Sequence, residues 1–324
     1  MSKKNDEKEI LFSVYTKESI AAALIEDETP DFILIDKSNN KKVGVEITTL
    51  FTNQASAISK NDKFLDSYID RHIAQSKKPN KKKKGPKYLQ NLNVTPIEGD
   101  DSLVHKDHIV WQTVGLKDYF SFFEDIIKDK SKAYVKKVKG LQFVNLIGKD
   151  VENFFKSKGR VIDLYGLLRQ HSIFQAIINS NFQEIFFLAC FIEGKYSIPL
   201  KWLIFRTEYE LFKLFWQETK IKNLKSLLDN FCICMVHLGY KNIYLSSSEA
   251  YRYIIFGTSC WKINKTTDEI NEYHFLALEL PEETLAQNTF KNYNDYSTIF
   301  LKYMEFRQSR NGALNEGLFR RIDE

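Results

Sequence analysis

Long hydrophobic runs are missing from this chain. No stretch approaches the ~18 consecutive apolar residues that a membrane-spanning helix needs, so no membrane partner is expected. The opening residues, Met1 to Glu7, are polar and charged. That argues against a secretory leader and for a cytoplasmic location. Cysteine is scarce: Cys190, Cys232, Cys234 and Cys260 form no CxxC pair. Neither a disulfide framework nor a zinc finger is expected, and free thiols in a reducing compartment are. No Walker loop and no GxGxxG fingerprint occur, which removes support for ATP or NAD chemistry. The histidines show no HExxH spacing, and His105 with His108 reads as a solvated loop.

What is present is core material. Over 324 residues, 43% are hydrophobic, 14% aromatic and 27% charged. That composition belongs to a folded chain with one large or two ordinary domains. The net charge of +5 is mild, but its distribution is uneven. Lys77, Lys78, Lys81, Lys82, Lys83, Lys84 and Lys87 crowd into one stretch broken by Pro79, Asn80, Gly85 and Pro86. Like charges mixed with Pro and Gly do not pack, so 76–110 reads as a basic, irregular loop. It is either an arm that grips phosphates or a solvated tether.

Periodicity sets out the rest. Leu11, Val14, Glu18, Ala22 and Ile25 recur at helical spacing and predict a helix over 7–26, with Glu18 near its apolar stripe. Thr29-Pro30 breaks it. Residues 31–37 and 42–50 read as two strands of a hairpin around Ser38-Asn39-Asn40-Lys41. Helices are expected over 56–75, 116–139, 150–157 and 161–179, and strands over 141–147 and 184–192, with 198–205 pairing with the latter. Beyond residue 206, helices near 207–219, 223–238, 282–290 and 295–308 bracket strands near 253–263 and 272–280. This predicts a core over 1–205 and a C-terminal α+β accessory region over 206–324. Trp202, Trp216 and their aromatic neighbours are either base-stacking groups or core.

The hairpin carries the chemistry. With a four-residue turn, Ile33 faces Glu46 and Asp31 faces Thr48. Positions two apart share a face, so Asp31, Glu46 and Thr48 point to one side. Asp31 and Glu46 are then diagonal neighbours, roughly 7–8 Å apart. Two carboxylates at that reach can close on one hard cation. Such a cation can offset charge on a phosphodiester and activate water. Glu46 also interrupts an otherwise apolar strand of Val43, Val45 and Ile47, an unusual place for a solvated ion-pairing glutamate.

At Pro30-Asp31-Phe32, and fifteen positions on at Gly44-Val45-Glu46-Ile47-Thr48, the chain resembles the PD-(D/E)xK nuclease superfamily. The order helix, hairpin, helix, strand, helix, strand is similar too, as is the helical segment 122–134 with the strand after it. The resemblance covers about residues 7–205. It implies an α/β, restriction-endonuclease-like core, a mixed central sheet flanked by helices. It also implies a Mg2+-dependent endonuclease (Mn2+ as a substitute) acting on DNA, with RNA as the alternative substrate. Asp31, Glu46 and the Ile47 carbonyl would be metal ligands, and Glu18 the helix carboxylate. The resemblance further suggests an anti-phage defence or mobile-element setting, and a homodimer or a partner subunit in a defence complex.

One position departs: the family's lysine two residues after the glutamate, thought to orient water or stabilise the phosphorane, is Thr48 here. A lysine from elsewhere would have to serve. Lys130 shares a helix face with Phe123, Ile127 and Tyr134 and either reaches inward or snorkels out. Lys60 and Lys63 are alternatives, and Thr48 itself can only hydrogen-bond. The departure leaves open a nuclease fold that binds nucleic acid without cutting it, or a scaffold subunit.

Overall fold

The computed structural model describes residues 3–15, 23–35, 42–50, 93–94, 109–110, 116–137, 140–151, 153–156, 159–169, 172–218, 224–241, 243–274 and 297–309. The chain divides into two compact units, one of Met1–Thr49 with Glu124–Glu324, the other of Leu50–Phe123. Among the described residues no helix is long and apolar enough to cross a membrane.

The first unit is built on a mixed six-stranded sheet. Its elements begin with α1 (Lys3–Val14), β1 (Ala23–Glu26), β2 (Phe32–Ile35) and β3 (Lys42–Leu50). After α2 (Leu116–Lys137) come β6 (Phe143–Asp150), α3 (Leu164–Arg169), α4 (Ile173–Asn179), β7 (Ile185–Cys190) and β8 (Lys195–Pro199). The strand order is β1-β2-β3-β6-β7-β8. The β1/β2, β2/β3 and β7/β8 pairs are antiparallel and β6/β7 is parallel. Gln142 donates its N–H to the Lys42 carbonyl at 2.7 Å, tying the start of β6 to the start of β3. Two strands that start together need a crossover, and α2 lies within it.

Alternation along β2 and β3 decides which face does what. Phe32, Leu34, Val43, Val45 and Ile47 lie in one apolar cluster with Ile10, Leu11 and Tyr15 of α1. Glu46 belongs to the other face, as the two-residue period requires. Gly44 shares that face, and a Cβ there would stand 2.8 Å from Pro30 Cγ, so the close approach of Pro30 needs glycine.

The C-terminal part adds α5 (Leu200–Glu218), α6 (Leu224–His237), β9 (Tyr244–Ser247), β10 (Tyr251–Phe256), β11 (Ser259–Asn264), β12 (Ile270–His274) and α7 (Ser297–Ser309). The four strands form an antiparallel sheet ordered β12-β11-β10-β9. Phe205 of α5 lies 4.9 Å from Phe256 and 5.0 Å from Phe231, and Tyr209 lies 4.6 Å from Trp261, ring centroid to centroid. Each such aromatic pair contributes roughly 0.5–1.5 kcal/mol beyond its buried area. Trp202 and Trp216 are buried in this packing, so they are core and not an open stacking surface. In the second unit, β4 (Asn93–Val94) pairs antiparallel with β5 (Ile109–Val110).

Several expected elements differ. The helix expected over 7–26 ends at Val14, and Ala23–Glu26 is the edge strand β1. A short apolar run fits either period, and pairing with β2 decides it. The helix expected over 150–157 is absent: Asp150 ends β6, 154–156 form a turn, and Asn153 has φ 52°, a left-handed value that breaks a helix. The partner of β7 is Lys195–Pro199, and the helix starts at Leu200, so 206 falls inside α5. The strand expected over 253–263 is a hairpin that turns at Gly257, φ 65°. Within the expected irregular stretch 76–110, β4 and β5 pair. The expected helices 56–75 and 282–290 lie outside the described residues.

Candidate functional site

Asp31 stands just before β2, and Glu46 lies in the middle of β3. The register pairs Phe32 with Val45 and Ile35 with Lys42. The connection is therefore 36–41, two residues longer than the turn expected at 38–41. A shift of two preserves the face, and continuing the register one residue past Phe32 sets Asp31 opposite Glu46 instead of diagonal to it. Both residues are 8% exposed.

Each carboxylate has defined partners. Asp31 Oδ2 accepts the Ile47 N–H at 2.8 Å. Lys4 Nζ of α1 lies 3.7 Å from Asp31 Oδ1 and donates to the Asp31 carbonyl at 3.4 Å. Glu46 accepts a hydrogen bond on each oxygen, from the Lys130 ammonium on Oε1 and the Tyr134 hydroxyl on Oε2. These two donors are four residues apart on α2 and so share one helix face. A third carboxylate, Glu7 of α1, is 7% exposed and ion-paired with Lys4 at 3.3 Å.

The electrostatics follow from this crowding. Burial pushes the Asp31 carboxyl above its ordinary value. The Ile47 N–H and Lys4 oppose the shift, and the charges of Glu46 and Glu7 add to it. Burial also raises the Tyr134 phenol, and the bond to Glu46 raises it further, so Tyr134 is a proton donor at neutral pH. The site thus gathers three carboxylates in a poorly hydrated place, offset by the Lys4 and Lys130 ammonium groups.

The structure brings together Asp31, Glu46, Ile47 and Lys130, which the sequence named. Lys130 reaches inward, with its side chain 31% exposed, and does not snorkel away. Thr48 shares the Glu46 face and is half-buried. Ile47 contributes its N–H to Asp31. Glu18, Lys60, Lys63 and the lysines from Lys77 to Lys87 lie outside the described residues. Glu7 and Tyr134 are site residues that sequence reasoning missed. Tyr134 was visible only as one member of an apolar stripe. Glu7 sits at the polar start of α1, where charge is unremarkable.

Asp31 and Glu46 themselves offer carboxylate oxygens, the ligand type that suits Mg2+ or Mn2+. Among the described residues no group of three or more His, Cys, Asp or Glu side chains is arranged to hold a metal ion. Asp31 and Glu46 are a pair, and the oxygens of Glu46 are held by Lys130 and Tyr134. All four cysteines are free thiols, and burial pushes those of Cys232, Cys234 and Cys260 up to about 12, which makes them poor nucleophiles.

Comparison with protein-family models, curated proteins and solved structures finds no match for the chain.

Proposed function

We propose that this protein is a divalent-metal-dependent nuclease with a restriction-endonuclease-like core. The observation that carries the reading is the juxtaposition of Asp31, just before β2, and Glu46 in β3, both buried, with the Lys130 ammonium on Glu46. The element order supports it: a helix, three antiparallel strands, a crossover helix and a strand beside the third. Lys130 supplies, from α2, the amine that Thr48 lacks. Asp31 and Glu46 would hold Mg2+, which supplies charge neutralisation at the phosphate and a more acidic water. Lys130 holds a positive charge at the carboxylate pair, where it can stabilise a phosphate that gains charge. Tyr134 fixes the second oxygen of Glu46 and orients that carboxylate.

A second reading is a nuclease fold that binds nucleic acid without cutting it. Thr48 favours it, as does the occupation of both Glu46 oxygens by protein donors. Incubation of supercoiled plasmid DNA and single-stranded RNA with Mg2+ or Mn2+ separates the two. The nuclease reading expects cleavage that EDTA stops and that folded Asp31→Ala and Glu46→Ala variants lack. Binding of either nucleic acid without cleavage, under every metal, overturns it in favour of the binding protein.

A further inference from the structure

A second cluster of reactive side chains lies on the four-stranded sheet, and Asp31 and Glu46 belong to the six-stranded one. Ser259 of β11 and His274 of β12 are directly opposed in the antiparallel ladder. Ser259 Oγ is 2.8 Å from His274 Nδ1. On the other side of the ring, His274 Nε2 is 3.2 Å from Glu272 Oε1, two residues back along the same strand. Glu272 is itself held by the Trp202 Nε1–H at 2.9 Å and by Arg206 at 3.7 Å.

This chain of contacts fixes the tautomer. A carboxylate can only accept, so a neutral His274 places its proton on Nε2, towards Glu272. Nδ1 is then left as a lone pair facing the Ser259 hydroxyl, which donates to it. A nucleophile within hydrogen-bond reach of a base, with that base oriented by a third group, is the arrangement that activates a serine. Burial raises the Glu272 carboxyl, but the bonds from His274 and Trp202 and the charge of Arg206 outweigh it and hold it at about 2. Glu272 is therefore ionised at neutral pH and stabilises the positive charge that His274 takes on.

The cluster has a place for a substrate. Ser259 and His274 line a cleft of about 330 Å³. Val14, Phe186 and Pro199 line it with apolar surface, and Ser197 and Thr258 also border it. That volume is at the small end of ligand pockets, and the lining is that of a site for a compact, mostly apolar molecule with one polar group. The His274 side chain is 61% exposed, whereas Ser259 is buried at 1% exposure.

We propose that Ser259, His274 and Glu272 form a second, metal-independent active site that hydrolyses small carboxylic esters. Ser259 Oγ forms a bond to the ester carbonyl carbon and passes its proton to His274 Nδ1. The ester C–O bond breaks, and His274 returns the proton to the departing alcohol. The acyl group stays on Ser259. Water then attacks the acyl carbon and gives a proton to His274, which hands it to Ser259 as the carboxylic acid leaves. Ser259 and His274 are the catalytic residues, and Glu272 is a positioning residue.

The test is labelling of the full chain in EDTA with a small alkyl fluorophosphonate, located by peptide mass spectrometry, with p-nitrophenyl acetate as the turnover substrate. The expected result is one label per chain on Ser259, none on Ser259→Ala, and labelling slowed by roughly 100-fold or more in His274→Ala. Added imidazole restores part of the His274→Ala rate, which a structural role for His274 would not allow. Glu272→Gln lowers the maximal labelling rate and leaves the half-saturating probe concentration unchanged. A folded wild type unlabelled at Ser259, or His274→Ala labelled as fast as wild type, overturns the proposal. EDTA keeps this outcome separate from the fate of the nuclease reading.

Discussion

The contact between Lys130 and Glu46 joins α2 to β3, and it can be weighed by a double-mutant cycle. Lys130→Met keeps the aliphatic stem and removes the charge, and Glu46→Gln keeps the shape and removes the other charge. Exposed ion pairs contribute about 0–1 kcal/mol. Breaking one partner of a buried pair costs about 3–5 kcal/mol, because a charge is left uncompensated. The Glu46 side chain is 10% exposed and that of Lys130 31%, so the pair lies between these limits. Each single change should cost about 1–3 kcal/mol, and the coupling should be about 1–2 kcal/mol. Tyr134→Phe, which takes the donor from the other oxygen of Glu46, should cost about 1 kcal/mol. Urea unfolding of the four proteins in EDTA measures the cycle, provided the slopes with denaturant agree. Independent sites add within roughly 0.3–0.5 kcal/mol. Additivity within that margin would refute the inward placement of Lys130 and remove the amine from the site.

Three further outcomes are expected. Glu208 is fully buried on α5 and accepts from Tyr165 at 2.6 Å, Tyr303 at 2.7 Å and Arg307 at 2.7 Å, joining α3, α5 and α7. Glu208→Gln leaves Arg307 without its counter-charge and should cost about 3–5 kcal/mol in urea unfolding. A loss under about 1 kcal/mol would show that α7 does not dock through this carboxylate. Gly44→Ala would put a methyl 2.8–3.1 Å from Pro30, Leu141 and Val144 and should cost about 1–3 kcal/mol by thermal melting, while an unchanged melt contradicts the packing of Pro30 on β3. Burial pushes the Glu184 carboxyl up to about 7, against bonds from the backbone N–H groups of Ile185 and Lys201. A raised folded value means stability present below the unfolded value near 4.5 and lost as pH rises through about 7. Lys201, lowered by burial to about 8, stays largely protonated through that window and adds little slope there. Wild type should therefore lose stability relative to Glu184→Gln between about pH 5 and 7, and parallel stability profiles would contradict this.

The fold was legible where apolar periods were long. The helix starting at Leu116 and the strand Lys42–Leu50 stand where their patterns place them, because each buries a continuous stripe. It was illegible where a few residues fit two periods. Ala23–Glu26 reads as the tail of a helix until β2 offers it a ladder. Register was half legible: the two-residue period fixed the face of Asp31 and Glu46, but not whether they were opposed or diagonal, which depends on the length of the connection. Lys130 was visible as an inward candidate from its helical face. Tyr134 was hidden because a tyrosine on that face reads as core, and its hydroxyl matters only once Glu46 is known to lie opposite. Glu7 was hidden because its proximity to Asp31 comes from the packing of α1 on the sheet. Ser259, Glu272 and His274 were beyond reading, since no local motif joins residues that a β-ladder sets side by side.

The proposed sharing of one divalent cation by Asp31 and Glu46 is measured most directly by titrating the protein with Mn2+ and reading bound metal by electron paramagnetic resonance. Wild type should show a saturable site from which Mg2+ displaces Mn2+, lost or weakened at least about tenfold in folded Asp31→Asn and Glu46→Gln. A wild type that binds no Mn2+, or variants that bind it as tightly as wild type, would contradict that sharing.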